Sequence, residues 1–137
     1  MNVVQHQPRL AAREVFRSFL PRDSSCGSTA RRQLEAHLAQ RLDGTLEDAK
    51  TVVSELVNNA YLHGEGQIEL RVGAVQDRLR IEVIDQGHVA KLVVTHLDRP
   101  GGMGLVLVDR LSDRWGMGEG HTHVWAELSV PEACRPL

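Results

Sequence analysis

Residues 55–64 read ELVNNAYLHG, and the fold turns on whether this stretch is an ordinary amphipathic helix or a helix that carries a site. At 100° per residue, Leu46, Ala49, Val53, Leu56, Val57 and Ala60 share one broad apolar face, which predicts a helix from about Leu46 to His63 packed on a sheet. Glu55 and Asn59 lie one turn apart on the border of that face, His63 continues the row, and Asn58 is expected to point toward solvent. On this helix alone the plainer reading is a solvated flank, with His63 complementing the C-terminal helix dipole. The other reading is chemical. A carboxylate and a carboxamide at this spacing orient a water or hydroxyl and give one oxygen to a hard cation such as magnesium, which commonly takes only one or two protein oxygens. That second reading requires a nucleotide.

Working outward, Thr45 is expected to cap this helix with Asp48 as the capping-box acid, and Gly64 and Gly66 to end it in a left-handed turn. Upstream, Ala30, Leu34, Leu38 and Leu42 form one stripe and predict a helix from Thr29 to Leu42. REVFRSFL (13–20) before Pro21 suits an edge strand. Downstream, QIELRVGAV and DRLRIEVID alternate apolar with polar residues and predict an antiparallel pair turning at Gln76 and Asp77, with one face buried. Residues 87–101 show no sustained period and read as a long loop. MGLVLVDRLSD resumes a helical pattern, and RWGMG with HTHVWAELSV predicts a closing hairpin. This order predicts an α+β two-layer sandwich, with a mainly antiparallel or mixed sheet and helices on one face.

The 137 residues, 42% hydrophobic and 25% charged, suit one domain, expected over 13–130 between tails at 1–12 and 131–137. A formal charge of −2 offers no overall basic field, so direct nucleic-acid binding is not expected. No apolar run is long enough to span a bilayer and MNVVQHQPRL is unlike a secretion signal, which predicts a cytoplasmic protein with no membrane partner. Cys26 and Cys134 lack zinc-like spacing and read as free thiols, a disulfide between them being the alternative. His121 and His123 alternate along a strand and read as a solvated face rather than a metal site.

Two further segments supply a nucleotide. Asp85 ends the strand LRIEVID with Gly87 behind it, and a carboxylate, which only accepts, matches the exocyclic amino group of adenine. GGMGL (101–105) follows, and its glycines let backbone N–H groups approach phosphate at a helix start. GGMGL lacks the third glycine of GxGxxG and the chain has no GK[ST], which disfavours Rossmann and P-loop sites.

The ordered set ELVNNAYLH, DQG and GGMGL resembles the N, G1 and G2 boxes of the GHKL ATPase superfamily, and TVVSELVNNAYLHG looks most like the single-domain anti-sigma factor serine/threonine kinases, actinobacterial type. The resemblance covers about residues 13–130. It implies the Bergerat ATP-binding fold, with ATP and Mg2+ as cofactors. Carried over residue by residue, Glu55 matches the proposed general base and Asn59 the magnesium ligand. His63 matches a histidine near the phosphates, and Asp85 with Gly87 matches the adenine-reading pair. Gly102, Met103, Gly104 and Leu105 match the G2 box. Arg99, or Lys91 in its place, is the candidate for the γ-phosphate. Val89 stands where the G1 pattern has a second glycine, and the lid is short, so nucleotide binding is better supported than phosphotransfer. The implied partners are a STAS-domain anti-anti-sigma factor, a sigma factor and a second copy of the chain. The alternative is a non-catalytic module of the same fold that acts as a protein-sequestering switch.

Overall fold

The computed structural model describes residues 13–88, 103–118 and 121–130. Both expected tails, most of the 87–101 loop with Val89, Lys91 and Arg99, and Gly102 and Cys134 lie outside the described residues.

Period-two alternation becomes a five-stranded sheet. Its strands are β1 (Arg13–Leu20), β2 (Ile68–Val75), β3 (Arg78–His88), β4 (Arg114–Met117) and β5 (His121–Ser129), in the order β1-β2-β3-β5-β4. All four pairings are antiparallel. The helices are α1 (Cys26–Leu42), α2 (Leu46–His63) and α3 (Met103–Leu111). β1 is an edge strand, as the Pro21 that follows it leads one to expect. β2 and β3 turn at Gln76, whose φ of 56° is left-handed.

Ile68, Leu70 and Val72 of β2, Leu79, Ile81 and Val83 of β3, and Val124, Ala126 and Leu128 of β5 join one core with Ala30, Leu34 and Leu38 of α1. Burying each large aliphatic side chain contributes about 1.5–3 kcal/mol, so this face alone orients the sheet toward the helices. α2 buries Val52 and Ser54 besides its expected stripe of Ala49, Val53, Leu56, Val57 and Ala60. The wider burial follows from its place between α1 and α3, both of which pack on it above the sheet.

Local chemistry corrects four expectations. α1 starts at Cys26 rather than Thr29, because Asp23 Oδ1 accepts from Ser25 N–H at 2.8 Å and Asp23 O accepts from Cys26 N–H at 3.1 Å, which turns the chain early. Thr45 makes no side-chain cap: it sits in a short 3-10 turn (Asp43–Thr45) with φ −88° and ψ −13°, already helical. Glu47 and Asp48 supply the acid at this helix start instead. Gly64 is extended (φ −93°, ψ −168°), and the left-handed glycine is Gly66 at φ 68°. β3 does not stop at Asp85 but continues to His88, which pairs with His121 across an irregularity in the β3–β5 register.

The outer face of the sheet departs furthest from simple alternation. At its centre Arg80, Glu82, Trp125 and Glu127 are all buried. Arg80 donates to Glu82 Oε1 at 2.8 Å and to Glu127 Oε2 at 2.6 Å, while Arg114 donates to Glu127 Oε1 at 2.9 Å. The Arg80 guanidinium stacks 4.3 Å from the Trp125 ring centroid. His123 is no solvated residue: its Nε2 meets Glu82 Oε2 at 2.8 Å. Burial alone raises the Glu82 carboxyl, but His123 and Arg80 outweigh it and bring the pKa down to about 2. Cys26 is a buried free thiol in the core, and burial pushes it up.

Candidate nucleotide-binding site

The helix with the polar stripe ends against the strand with the acceptor. α2 places Glu55 and Asn59 one turn apart, both half-buried, on the flank of its core face. Burial pushes the Glu55 carboxyl up, with the charge of Arg31 on α1 acting in the opposite direction. Asn59 Nδ2 is buried without a hydrogen-bond partner among the described residues. His63 is the last residue of the helix and half-buried. Asn58 is not in solvent, as expected, but half-buried against the first turn of α1, where a Cβ on Gly27 would lie 2.9 Å from Asn58 Oδ1.

Asp85 is 2% exposed. Its Oδ1 accepts from the Gly87 N–H at 2.7 Å, which fixes the plane of the carboxylate, and its Oδ2 is buried with no partner among the described residues. A buried carboxylate oxygen without a donor is costly, and among the described residues Oδ2 stands as an open acceptor. The irregular β3–β5 register between Ile84 and His88 frees this segment from the regular ladder. It bonds instead to the loop after α2, where Gln86 N–H donates to Glu65 O at 2.8 Å and Gln67 N–H to Gln86 Oε1 at 3.2 Å. A Cβ at Gly64 would overlap the Asp85 carboxylate, so the glycine is needed for close approach rather than for its backbone angles.

α3 completes the helical layer. Met103 and Gly104 form its first turn, and the Leu105 side chain is buried in the core with Val108, so only backbone groups of Leu105 are available to a nucleotide. Trp115 Nε1–H donates to Asp109 Oδ1 at 2.9 Å and ties α3 to β4. The structure thus joins Gly64, Asp85 and Gly87 directly and puts Glu55, Asn59 and His63 on the same helix that meets them. Arg99 and Gly102 lie outside the described residues. One contributor has no sequence motif: Arg22, in the β1–α1 turn, bonds the end of α2. Its contacts span about forty residues of sequence, and nothing local announces them.

The single carboxamide oxygen of Asn59 is the kind of donor that suits a magnesium ion drawing its remaining ligands from water and phosphate, with the Glu55 carboxylate one turn away left for a proton. Among the described residues no group of three or more His, Cys, Asp or Glu side chains forms a self-sufficient metal cage. No helix among them is long and apolar enough to cross a membrane.

The α+β sandwich thus sets the buried, half-satisfied carboxylate of Asp85, within β3, against a central helix bearing Glu55 and Asn59. The family model for the histidine kinase-like ATPase domain matches residues 10–128, and the chain belongs to that family. No curated protein matches it.

Proposed function

We propose that the chain is an ATP- and magnesium-dependent protein serine/threonine kinase that phosphorylates a STAS-type anti-anti-sigma factor and, in its alternative partnership, sequesters a sigma factor. The observation that carries the catalytic part is Glu55: a half-buried carboxylate, pushed up by burial, one turn from Asn59 on the helix that meets Asp85. The partners rest on the resemblance of TVVSELVNNAYLHG to the anti-sigma factor kinases.

Asp85 accepts the adenine amino group at Oδ2, and Gly87 holds the carboxylate for it. Asn59 offers its carboxamide oxygen to the cation. Magnesium, when bound, neutralises charge across the phosphates. Glu55 takes the proton of the acceptor hydroxyl as its oxygen bonds to the γ-phosphorus; the bond to the bridging oxygen breaks and ADP leaves. Because burial raises Glu55, its base form is lost as pH falls through that raised value, earlier than for an exposed glutamate.

Labelled ATP and a STAS protein test this. Wild-type protein transfers label, and Glu55→Gln lowers transfer by about 100-fold or more while ATP affinity stays within about threefold of wild type. ATP binding with no transfer supports the sequestering module instead, which Val89 in the G1 box favours.

A further inference from the structure

Arg22 lies between β1 and α1, outside every nucleotide-binding motif, yet its side chain reaches the end of α2. Nη1 donates to Ala60 O at 3.1 Å, Tyr61 O at 3.1 Å and Gly64 O at 3.4 Å, and Nε donates to Gly66 O at 2.5 Å. Ala60 O already accepts from the Gly64 N–H at 2.8 Å, so Arg22 adds a second donor there besides meeting the carbonyls beyond it, and a cation at a helix C-terminus also complements the dipole. Ending a helix does not by itself need this residue, since a left-handed glycine or a lysine serves. The arrangement also carries a cost, because Arg22 Nη2 is buried without a hydrogen-bond partner among the described residues.

The two loop carbonyls that Arg22 holds belong to Gly64 and Gly66, the residues that press on the adenine-side strand. Asp85 Oδ2 fills the space a side chain at position 64 would take, and the Gln86 side chain fills the space beside Gly66. From the other side Gln86 bonds Glu65 O and Gln67 N–H. The 64–67 loop is therefore clamped between Arg22 and Gln86, with Asp85 seated against it. Loosening one jaw lets the loop shift, and the carboxylate packed on it shifts as well.

We propose that Arg22 is a positioning residue for base selection: by holding Gly64 and Gly66 it keeps Asp85 Oδ2 where it accepts from a 6-amino purine and rejects a 6-oxo purine. This rests on the ATP-binding reading of Asp85. The ligand class is an adenine nucleotide, discriminated against its hypoxanthine counterpart, whose ring presents a carbonyl at the same place.

Calorimetry of the full chain with ATP and with inosine triphosphate tests it, in wild type, Arg22→Ala and Arg22→Lys, with circular dichroism and unfolding midpoints measured alongside. Arg22→Ala is expected to lower the ATP-to-inosine-triphosphate affinity ratio by about tenfold, chiefly through weaker ATP binding. Ethylguanidinium added to Arg22→Ala restores part of the ratio. Arg22→Lys, a cation without the planar fork, gives an intermediate ratio and carries the test if the alanine variant does not fold. A ratio within twofold of wild type in a folded variant overturns the proposal and leaves Arg22 a helix cap only. A wild type with no preference for ATP overturns the adenine reading itself, a result seen before any Arg22 variant is made.

Discussion

The two faces of the sheet bury acidic groups in opposite ways. On the outer face all four carboxylate oxygens of Glu82 and Glu127 are taken, by Arg80, His123 and Arg114. On the helix side Asp85 is equally buried, but only one of its oxygens has a partner among the described residues. A buried carboxylate with a donor on each oxygen is satisfied by the scaffold, and one left half-engaged is what the proposed adenine would complete. Burial alone does not separate the two, for Asp85 and Glu127 are both 2% exposed.

Substitutions on the two faces should therefore fail in different assays. Glu127→Gln removes the charge that Arg80 and Arg114 share and leaves Arg80 with Glu82 as its one carboxylate among the described residues, and removing one member of a buried ion network costs about 3–5 kcal/mol. Chemical denaturation should show that loss, with ATP affinity of the folded fraction unchanged; equal stability would mean that the outer network is not structural. Asp85→Asn should behave the other way. It removes the proposed acceptor for the base, weakening ATP binding by about 1.5–3 kcal/mol, while the unfolding midpoint moves little because Oδ2 has no partner to lose among the described residues. A drop in stability without a drop in affinity would place Asp85 in the scaffold.

Gly64→Ala joins both regimes. The added methyl meets the Asp85 carboxylate, so overpacking should lower stability by about 1–3 kcal/mol, and ATP affinity should fall in the same titration. The pH response sets two carboxylates against each other. Glu82 is depressed from its ordinary 4.5 to about 2, so its contribution to stability is complete above about pH 4.5 and disappears as pH falls toward 2. Glu55 is raised, so its burial penalty acts at neutral pH and is relieved as pH falls through its raised value. Glu55→Gln should consequently leave the thermal midpoint unchanged or higher, and Glu82→Gln should flatten the acid limb of a stability-against-pH curve.

Most of the fold was legible because it depends on short-range periods. The apolar stripe of α2 and the alternation of β2, β3 and β5 are written within eight to eighteen residues of each element. Glu55, Asn59, Asp85 and Gly87 were legible as motif positions on those elements. The outer network was not, since Arg80 and Glu127 are 47 residues apart and meet only through the β3–β5 register. His123 read as solvated for the same reason: alternation assigns it to the outer face but says nothing of Glu82 waiting there.

Sequence by itself determined the order of elements, the antiparallel character of the sheet, the core face of α2 and the residue types of the proposed site, because each follows from the period of a single segment or the chemistry of a single side chain. Only the tertiary structure decided that Gly64 is glycine to make room for Asp85, that Asn58 packs on α1, and that Arg22 holds the end of α2 from 44 residues upstream of Gly66. Those are contacts between segments distant in the chain, and their partners are set by packing geometry that no local pattern encodes.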